Sequence, residues 1–100
     1  MPAYVVFIRE SEIHTPEEMA KYQQRQSDPR QYNLKPLAVY GAMETIEGEP
    51  ADGLVVLEFP TVEDARAWYF SPEYQEASKH RQLAADYRGF IVEGYAPPAQ

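Results

Sequence analysis

The sequence predicts an α+β domain with the element order β-α-β-β-α-β around a four-stranded antiparallel sheet. Three observations predict it. Two segments, 3–8 and 54–59, are apolar at consecutive positions rather than alternate ones, as strands buried on both faces are. Two others open on Thr-Pro-Glu-Glu and Thr-Val-Glu-Asp, each a helix start. The order in which extended and helical segments follow one another matches the split βαβ arrangement.

The first strand is Ala-Tyr-Val-Val-Phe-Ile, residues 3–8. Tyr4, Val6 and Ile8 point one way, and Val5 and Phe7 the other. A helix should start at Thr15, with Thr15 as cap, Pro16 in the first turn and Glu18 closing a capping box. Met19 and Tyr22 give it a thin apolar stripe, and it should fade by Ser27-Asp28-Pro29. The second strand is expected over 36–43, with Pro36 marking an edge position. Glu47 to Gly53 is a loop by composition.

Leu54 to Phe59 forms the third strand, hairpin-paired to the second, with Leu54 and Val56 on one face and Val55, Leu57 and Phe59 on the other. Thr61 caps a second helix whose apolar period is Val62, Ala65, Trp68 and Tyr69. Ser71-Pro72-Glu73 signals a fresh start, so a break or kink is expected there, with helix continuing from Pro72 to about Tyr87. Arg88 to Tyr95 supplies the last strand. Residues 1–95 thus make one domain, and 96–100, Ala-Pro-Pro-Ala-Gln, a flexible tail. Right-handed crossovers put strands one and three in the centre and the helices on one face. The other face is left apolar and bare, which predicts a homodimer formed by pairing the two sheets.

The chain has 100 residues, enough for one core, with 44% hydrophobic and 25% charged residues, a globular balance. Nine basic residues face sixteen acidic ones, for a net charge of -7. That charge argues against nucleic acid and against an anionic membrane surface as partners. Cysteine is absent, which excludes disulfides, thiolate nucleophiles and cysteine-based metal sites. The first apolar run ends at Arg9-Glu10, too early for a signal peptide or membrane span, so a cytoplasmic location is expected.

Arg81 is the most informative single position. Tyr74, Ala77, Arg81 and Ala84 share one helical stripe that should face the sheet. A guanidinium there needs a partner, because an unpaired buried charge is costly. Glu58 and Glu93 lie within apolar strands and are the candidate partners. One reading is a structural ion pair, or an arginine whose stem packs while its head reaches water. The other is an anion clamp for a carboxylate or enolate. Glu58, if buried with a raised pKa, is a candidate general base. His80 is a candidate proton carrier beside Arg81, or else a surface or interface residue, and His14 reads as a loop residue.

Tyr4, Tyr40, Tyr69, Tyr74 and Tyr87 fall near the core. With Trp68 they could line a cavity for an aromatic or polyketide-like ligand, or serve only as packing residues. Trp68, Tyr74, Arg81 and Tyr40 are the ligand-binding candidates; Arg81, Glu58 and His80 are the catalytic ones. No metal-ligand spacing, glycine-rich phosphate loop or nucleophile elbow occurs, so no metal, nucleotide or other cofactor is expected. Strand one also lacks a polar residue to orient a haem. Ser71 reads as a helix cap.

Residues 35 to 95 resemble a bacterial family known as domain-of-unknown-function family 1330. The resemblance rests on Lys35-Pro36-Leu37-Ala38-Val39-Tyr40-Gly41, Glu47-Gly48 and Val56-Leu57-Glu58-Phe59-Pro60. It continues through Ala65-Arg66-Ala67-Trp68-Tyr69, Ser71-Pro72-Glu73-Tyr74, His80-Arg81, Ala85-Asp86-Tyr87-Arg88 and Ile91-Val92-Glu93-Gly94. It implies a ferredoxin-like protomer and a dimeric α/β barrel built by sheet packing. It carries over no catalytic residues. The superfamily includes cofactor-free monooxygenases, lactone isomerases and haem-degrading enzymes, so fold is a poor guide to activity. Two functional expectations stand side by side. One is a dimeric small-molecule-binding protein, a cofactor-independent enzyme of the isomerase or monooxygenase kind, taking a small aromatic or carboxylate ligand. The other is a non-catalytic structural or stress-related dimer with a satisfied polar core.

Overall fold

The computed structural model describes residues 1–24 and 29–95. The expected C-terminal tail and the fading of the first helix at Ser27-Asp28 lie outside the described residues.

Four strands and three α-helices follow in the order β1 (Ala3–Arg9), α1 (Pro16–Gln24), a 3₁₀ turn (Pro29–Tyr32), β2 (Lys35–Val39), β3 (Gly53–Phe59), α2 (Val62–Tyr69), α3 (Pro72–Ala84) and β4 (Tyr87–Glu93). The strands form one antiparallel sheet in the order β2-β3-β1-β4, so the two strands apolar on both faces are the two central ones. Ala3, Val5 and Phe7 of β1 and Val55, Leu57 and Phe59 of β3 turn toward the helices and are buried. They share one core with Met19, Tyr22, Ala65, Trp68, Tyr74, Ala77 and Ala84. On the opposite face, Tyr4, Val6 and Ile8 stand beside Leu54, Val56 and Glu58 and are only half-buried.

All three helices start where their sequence signals place them, and at α2 and α3 the capping side chain makes its bond. Thr61 Oγ1 accepts the Asp64 N–H at 3.1 Å, and Ser71 Oγ accepts the Tyr74 N–H at 3.2 Å. Of the break or kink expected at Ser71-Pro72, the structure has the break, giving two helices, α2 and α3. At α1 the capping box does not form. The Glu18 carboxylate turns away from Thr15 to meet His80 of α3, with Oε2 and Nδ1 2.5 Å apart. A contact between helices outweighs the local cap here.

Boundaries depart from expectation most at the end of β2 and at the junction of α3 with β4, and β4 ends at Glu93 rather than Tyr95. β2 stops at Val39 rather than Met43 because Tyr40 takes a left-handed backbone, φ 52°. That conformation costs a non-glycine residue roughly 1–2 kcal/mol and turns the chain off the sheet edge. Tyr40 nonetheless donates its N–H to Leu54 O at 2.9 Å. α3 ends at Ala84 and β4 starts at Tyr87, earlier than expected. Extended Ala85 ends the helix, while Ser11 Oγ accepts the Asp86 N–H at 2.9 Å and Asp86 O accepts the Glu10 N–H at 2.8 Å. These contacts bring Tyr87 into register with Arg9. Among the described residues, no helix is long and apolar enough to cross a membrane.

Candidate functional site

The layer between helices and sheet holds a polar cluster inside an aromatic shell. Arg81 lies in the last turn of α3, where a cation meets the negative end of the helix dipole. It is only 4% exposed. Its guanidinium carbon stands 4.3 Å from the Phe7 ring centroid, 4.9 Å from Tyr87 and 6.0 Å from Tyr22. Such contacts stabilise a desolvated cation by about 2 kcal/mol each at best. They do not replace a counter-ion. Among the described residues no carboxylate lies within ion-pair distance of Arg81, and its buried Nε has no hydrogen-bond partner.

The carboxylates singled out in the sequence are elsewhere. Glu58 pairs in register with Tyr4 on the face turned away from the helices, so the sheet itself separates it from Arg81. Glu93 pairs with Ala3 at the far end of β4 from Tyr87, six residues along the strand, or roughly 20 Å. His80 is also turned outward, bound to Glu18 across the α1–α3 contact. That hydrogen bond holds the Glu18 carboxyl below its ordinary value. His14 lies in an exposed loop, its Nδ1 3.3 Å from Thr15 Oγ1.

The tyrosines do converge. Tyr22 and Tyr74 hydroxyls are 3.0 Å apart, and Tyr40 and Tyr87 hydroxyls are 2.6 Å apart. Burial pushes the Tyr22, Tyr40 and Tyr74 hydroxyls up from their ordinary value, and the Arg81 charge opposes that push at Tyr74. These groups are therefore neutral donors near pH 7. The Tyr40 ring reaches across the sheet end because Gly53 has no side chain: a Cβ there would lie 2.8 Å from the ring. Phe7 lies over Gly89 in the same way, with a Cβ there 2.9 Å from its ring.

Two cavities flank this cluster. The larger, about 550 Å³, lies over β1 and β4 and is bordered by Arg81, Phe7, Tyr87, Gly89, Ile91 and Tyr69. The smaller, about 130 Å³, lies over β1, β3 and β2 and is bordered by Phe7, Tyr22, Tyr40, Val39, Trp68 and Tyr74. The structure thus places Arg81 on the larger cavity and Trp68, Tyr74 and Tyr40 on the smaller, with Phe7 bordering both, and leaves Glu58 and His80 outside them. Phe7, Tyr22 and Gly89 belong to the same site and were not singled out from the sequence. Phe7 could have been: it shares the helix-facing side of β1 with Val5. Among the described residues no three carboxylates or imidazoles gather into a metal-binding group.

A four-stranded antiparallel sheet with helices on one side, in this order, is the ferredoxin-like α+β fold. The model of the family described as "Domain of unknown function (DUF1330)" matches residues 2–95, and the chain belongs to that family. Solved structures agree on the fold. The protein RPA0582 of Rhodopseudomonas palustris, of unknown function, is 23% identical, with 96% of this chain and 84% of that one covered and a TM-score of 0.69. A dimeric ferredoxin-like protein of unknown function from Bacteroides fragilis is 12% identical, covering 93% and 96%, with a TM-score of 0.56. An antibiotic biosynthesis monooxygenase is 16% identical, covering 98% and 100%, with a TM-score of 0.52. No curated protein matches the chain.

Proposed function

We propose that this protein is a homodimer that binds a small organic anion in the cleft between helices and sheet, with Arg81 as the anion's partner. One observation carries the reading: a guanidinium only 4% exposed, bordering a cavity of about 550 Å³, with no carboxylate beside it among the described residues. A buried cation of this kind is costly unless something supplies the opposite charge. The aromatic walls suit a ligand with an apolar body. Tyr69 and Tyr87 line this cavity beside Arg81, and the tyrosine hydroxyls offer donors to a ligand's oxygens, while Trp68, Tyr74 and Tyr40 line the smaller cavity beyond Phe7. The same donor set would stabilise an enolate, the first intermediate of isomerisation and of cofactor-independent oxygenation. A monooxygenase of this fold supports that finer reading.

Dimerisation is supported by the bare sheet face. Leu54, Val56, Val6 and Ile8 continue there into Phe90 and Val92, which are 43% and 49% exposed. A contiguous apolar patch of this kind is a protein-contact surface. The relative from Bacteroides fragilis is itself described as dimeric.

Arg81→Met tests the site. Methionine fills similar volume without charge, and removing an uncompensated buried charge is neutral or stabilising. The variant should therefore melt no lower than the parent. It should also lose the thermal shift the parent shows in a screen of small aromatic acids, lactones and quinones, about 2.7 kcal/mol at a hundredfold excess over Kd. A variant that unfolds instead assigns Arg81 to architecture, and with it the alternative of a non-catalytic structural dimer.

A further inference from the structure

The two cavities differ in charge. Arg66, Arg81 and Asp86 border the larger one. Among the described residues no arginine, lysine, histidine or carboxylate borders the smaller. Phe7 is the residue they share, and Arg81, with its guanidinium carbon 4.3 Å from the Phe7 ring centroid, borders the larger cavity alone.

The smaller cavity is a ring-sized pocket with one polar corner. Buried Phe7, Val55, Leu57 and Trp68 form apolar walls, and exposed Pro36 and Val39 stand at its mouth on the edge strand β2. Its volume, about 130 Å³, approaches the roughly 150 Å³ of an apolar cavity that takes up benzene. An ion placed there would give up its hydration with no counter-ion on the walls, so a neutral occupant is favoured. The polar corner is the Tyr22–Tyr74 pair. Both residues border the pocket, both are buried, and their hydroxyl oxygens are 3.0 Å apart. Whichever of them donates, one hydroxyl proton is used between the two and the other is left to donate outward. Burial keeps both hydroxyls protonated near neutral pH.

We propose that the smaller cavity is a second binding site, separate from Arg81, for a neutral one-ring molecule carrying a hydroxyl, of the phenol class. The ring packs against Trp68, and the hydroxyl oxygen accepts the spare proton of the Tyr22–Tyr74 pair. The site goes beyond the anion-binding reading and does not depend on it.

Trp68 is the chain's one tryptophan and borders only the smaller cavity, so its emission, excited selectively, reports occupancy there. The probes are phenol; toluene, similar in shape without the hydroxyl; and benzoate, a similar ring with a charge. Phenol should change Trp68 emission saturably. Toluene should do the same with a Kd about three- to tenfold higher, the worth of one hydrogen bond. Excess benzoate should not displace phenol. The double variant Tyr22→Phe/Tyr74→Phe removes both members of the pair and keeps their shape, a change nearly neutral for stability. It should bind toluene as the parent does and erase the advantage of phenol. Val39→Phe narrows the mouth at an exposed position and should abolish binding of both. Equal affinities for phenol and toluene in the parent would overturn the proposal, as would displacement of phenol by benzoate or a Trp68 emission that responds to neither neutral probe. An undiminished preference for phenol in the double variant, or undiminished binding in Val39→Phe, would overturn it too. The probe comparison on the parent chain decides the matter even if a variant does not fold.

Discussion

The two faces of the sheet both carry rows of apolar side chains, with opposite fates. Facing the helices, Ala3, Val5, Phe7, Val55, Leu57 and Phe59 are buried within one chain. Facing away, Tyr4, Val6, Ile8, Leu54 and Val56 are no less apolar, yet remain half-buried and run into exposed Phe90 and Val92. The difference lies in what covers them. Three short helices span one side of a four-stranded sheet and none spans the other. The covered face stabilises the protomer, and it also hosts the cavity, because the helices stand off over β1 and β4. In the homodimer proposed above, the bare face is the one that associates. Apolar alternation therefore reports that a surface needs covering, and only topology reports whether the cover is the chain's own.

The largest effect that sharpens this comparison is a pair of substitutions, one per face. Phe59 is fully buried on the helix side, its ring centroid 5.5 Å from that of Trp68. Phe59→Ala should cost about 3–5 kcal/mol. For a chain of this length that lowers Tm by roughly 15 °C or more. Val56 is its counterpart on the bare face, in register with Val6. Val56→Lys should leave the protomer folded, with unchanged far-ultraviolet circular dichroism, and halve the mass seen by sedimentation. Should Val56→Lys instead unfold the chain, or the parent sediment as a monomer, the division of labour between the faces is wrong.

How much of this was legible in the sequence depends on the distance of the cause. Strands buried on both faces were visible in Ala3 to Ile8 because a run of consecutive apolar residues carries that information locally. Arg81 was visible because its stripe with Tyr74, Ala77 and Ala84 is set by helical period alone. Its missing counter-ion was not. Glu58 alternates with Leu57 and Phe59, so its face was readable. Yet opposing it to Arg81 required knowing which face the helices take. Tyr40 was hidden for another reason: nothing in a tyrosine announces a left-handed φ of 52°, which ends β2 four residues early. The Glu18–His80 bond spans 62 residues and displaced a cap that local rules favoured.

A second, intermediate effect contrasts hydroxyls inside the covered face with those outside it. Burial raises the Tyr22, Tyr40 and Tyr74 hydroxyls above their ordinary value of 10.0. In the unfolded chain the same groups ionise near pH 10, so the unfolded state releases protons that the folded state holds. Their contribution to stability is complete below pH 10 and is lost as pH rises beyond it. Phenolate absorbance should therefore show these three of the eight tyrosines resisting ionisation until the chain unfolds. Tyr22→Phe should remove one late-titrating group. Ionisation of all three near pH 10 in a chain still folded would show that burial does not hold these hydroxyls neutral.

The smallest effect lies on the outer surface of the helices, where the Glu18–His80 bond joins α1 to α3. The hydrogen bond from His80 is the main cause holding Glu18 below its ordinary 4.5, and Lys21 helps. A carboxyl depressed on folding contributes stability above its unfolded pKa and loses it as pH falls through the folded one. Melting temperature should accordingly decline as pH drops below 4.5, and Glu18→Gln should flatten that acid limb by lowering Tm slightly near neutrality and leaving it unchanged in acid. The variant also separates this pair from the cleft. His80 points away from Arg81, so ligand-induced shifts should be the same in Glu18→Gln as in the parent. A loss of ligand response in this variant would place His80 in the site after all and would mean that α1 and α3 move together when the cleft is filled.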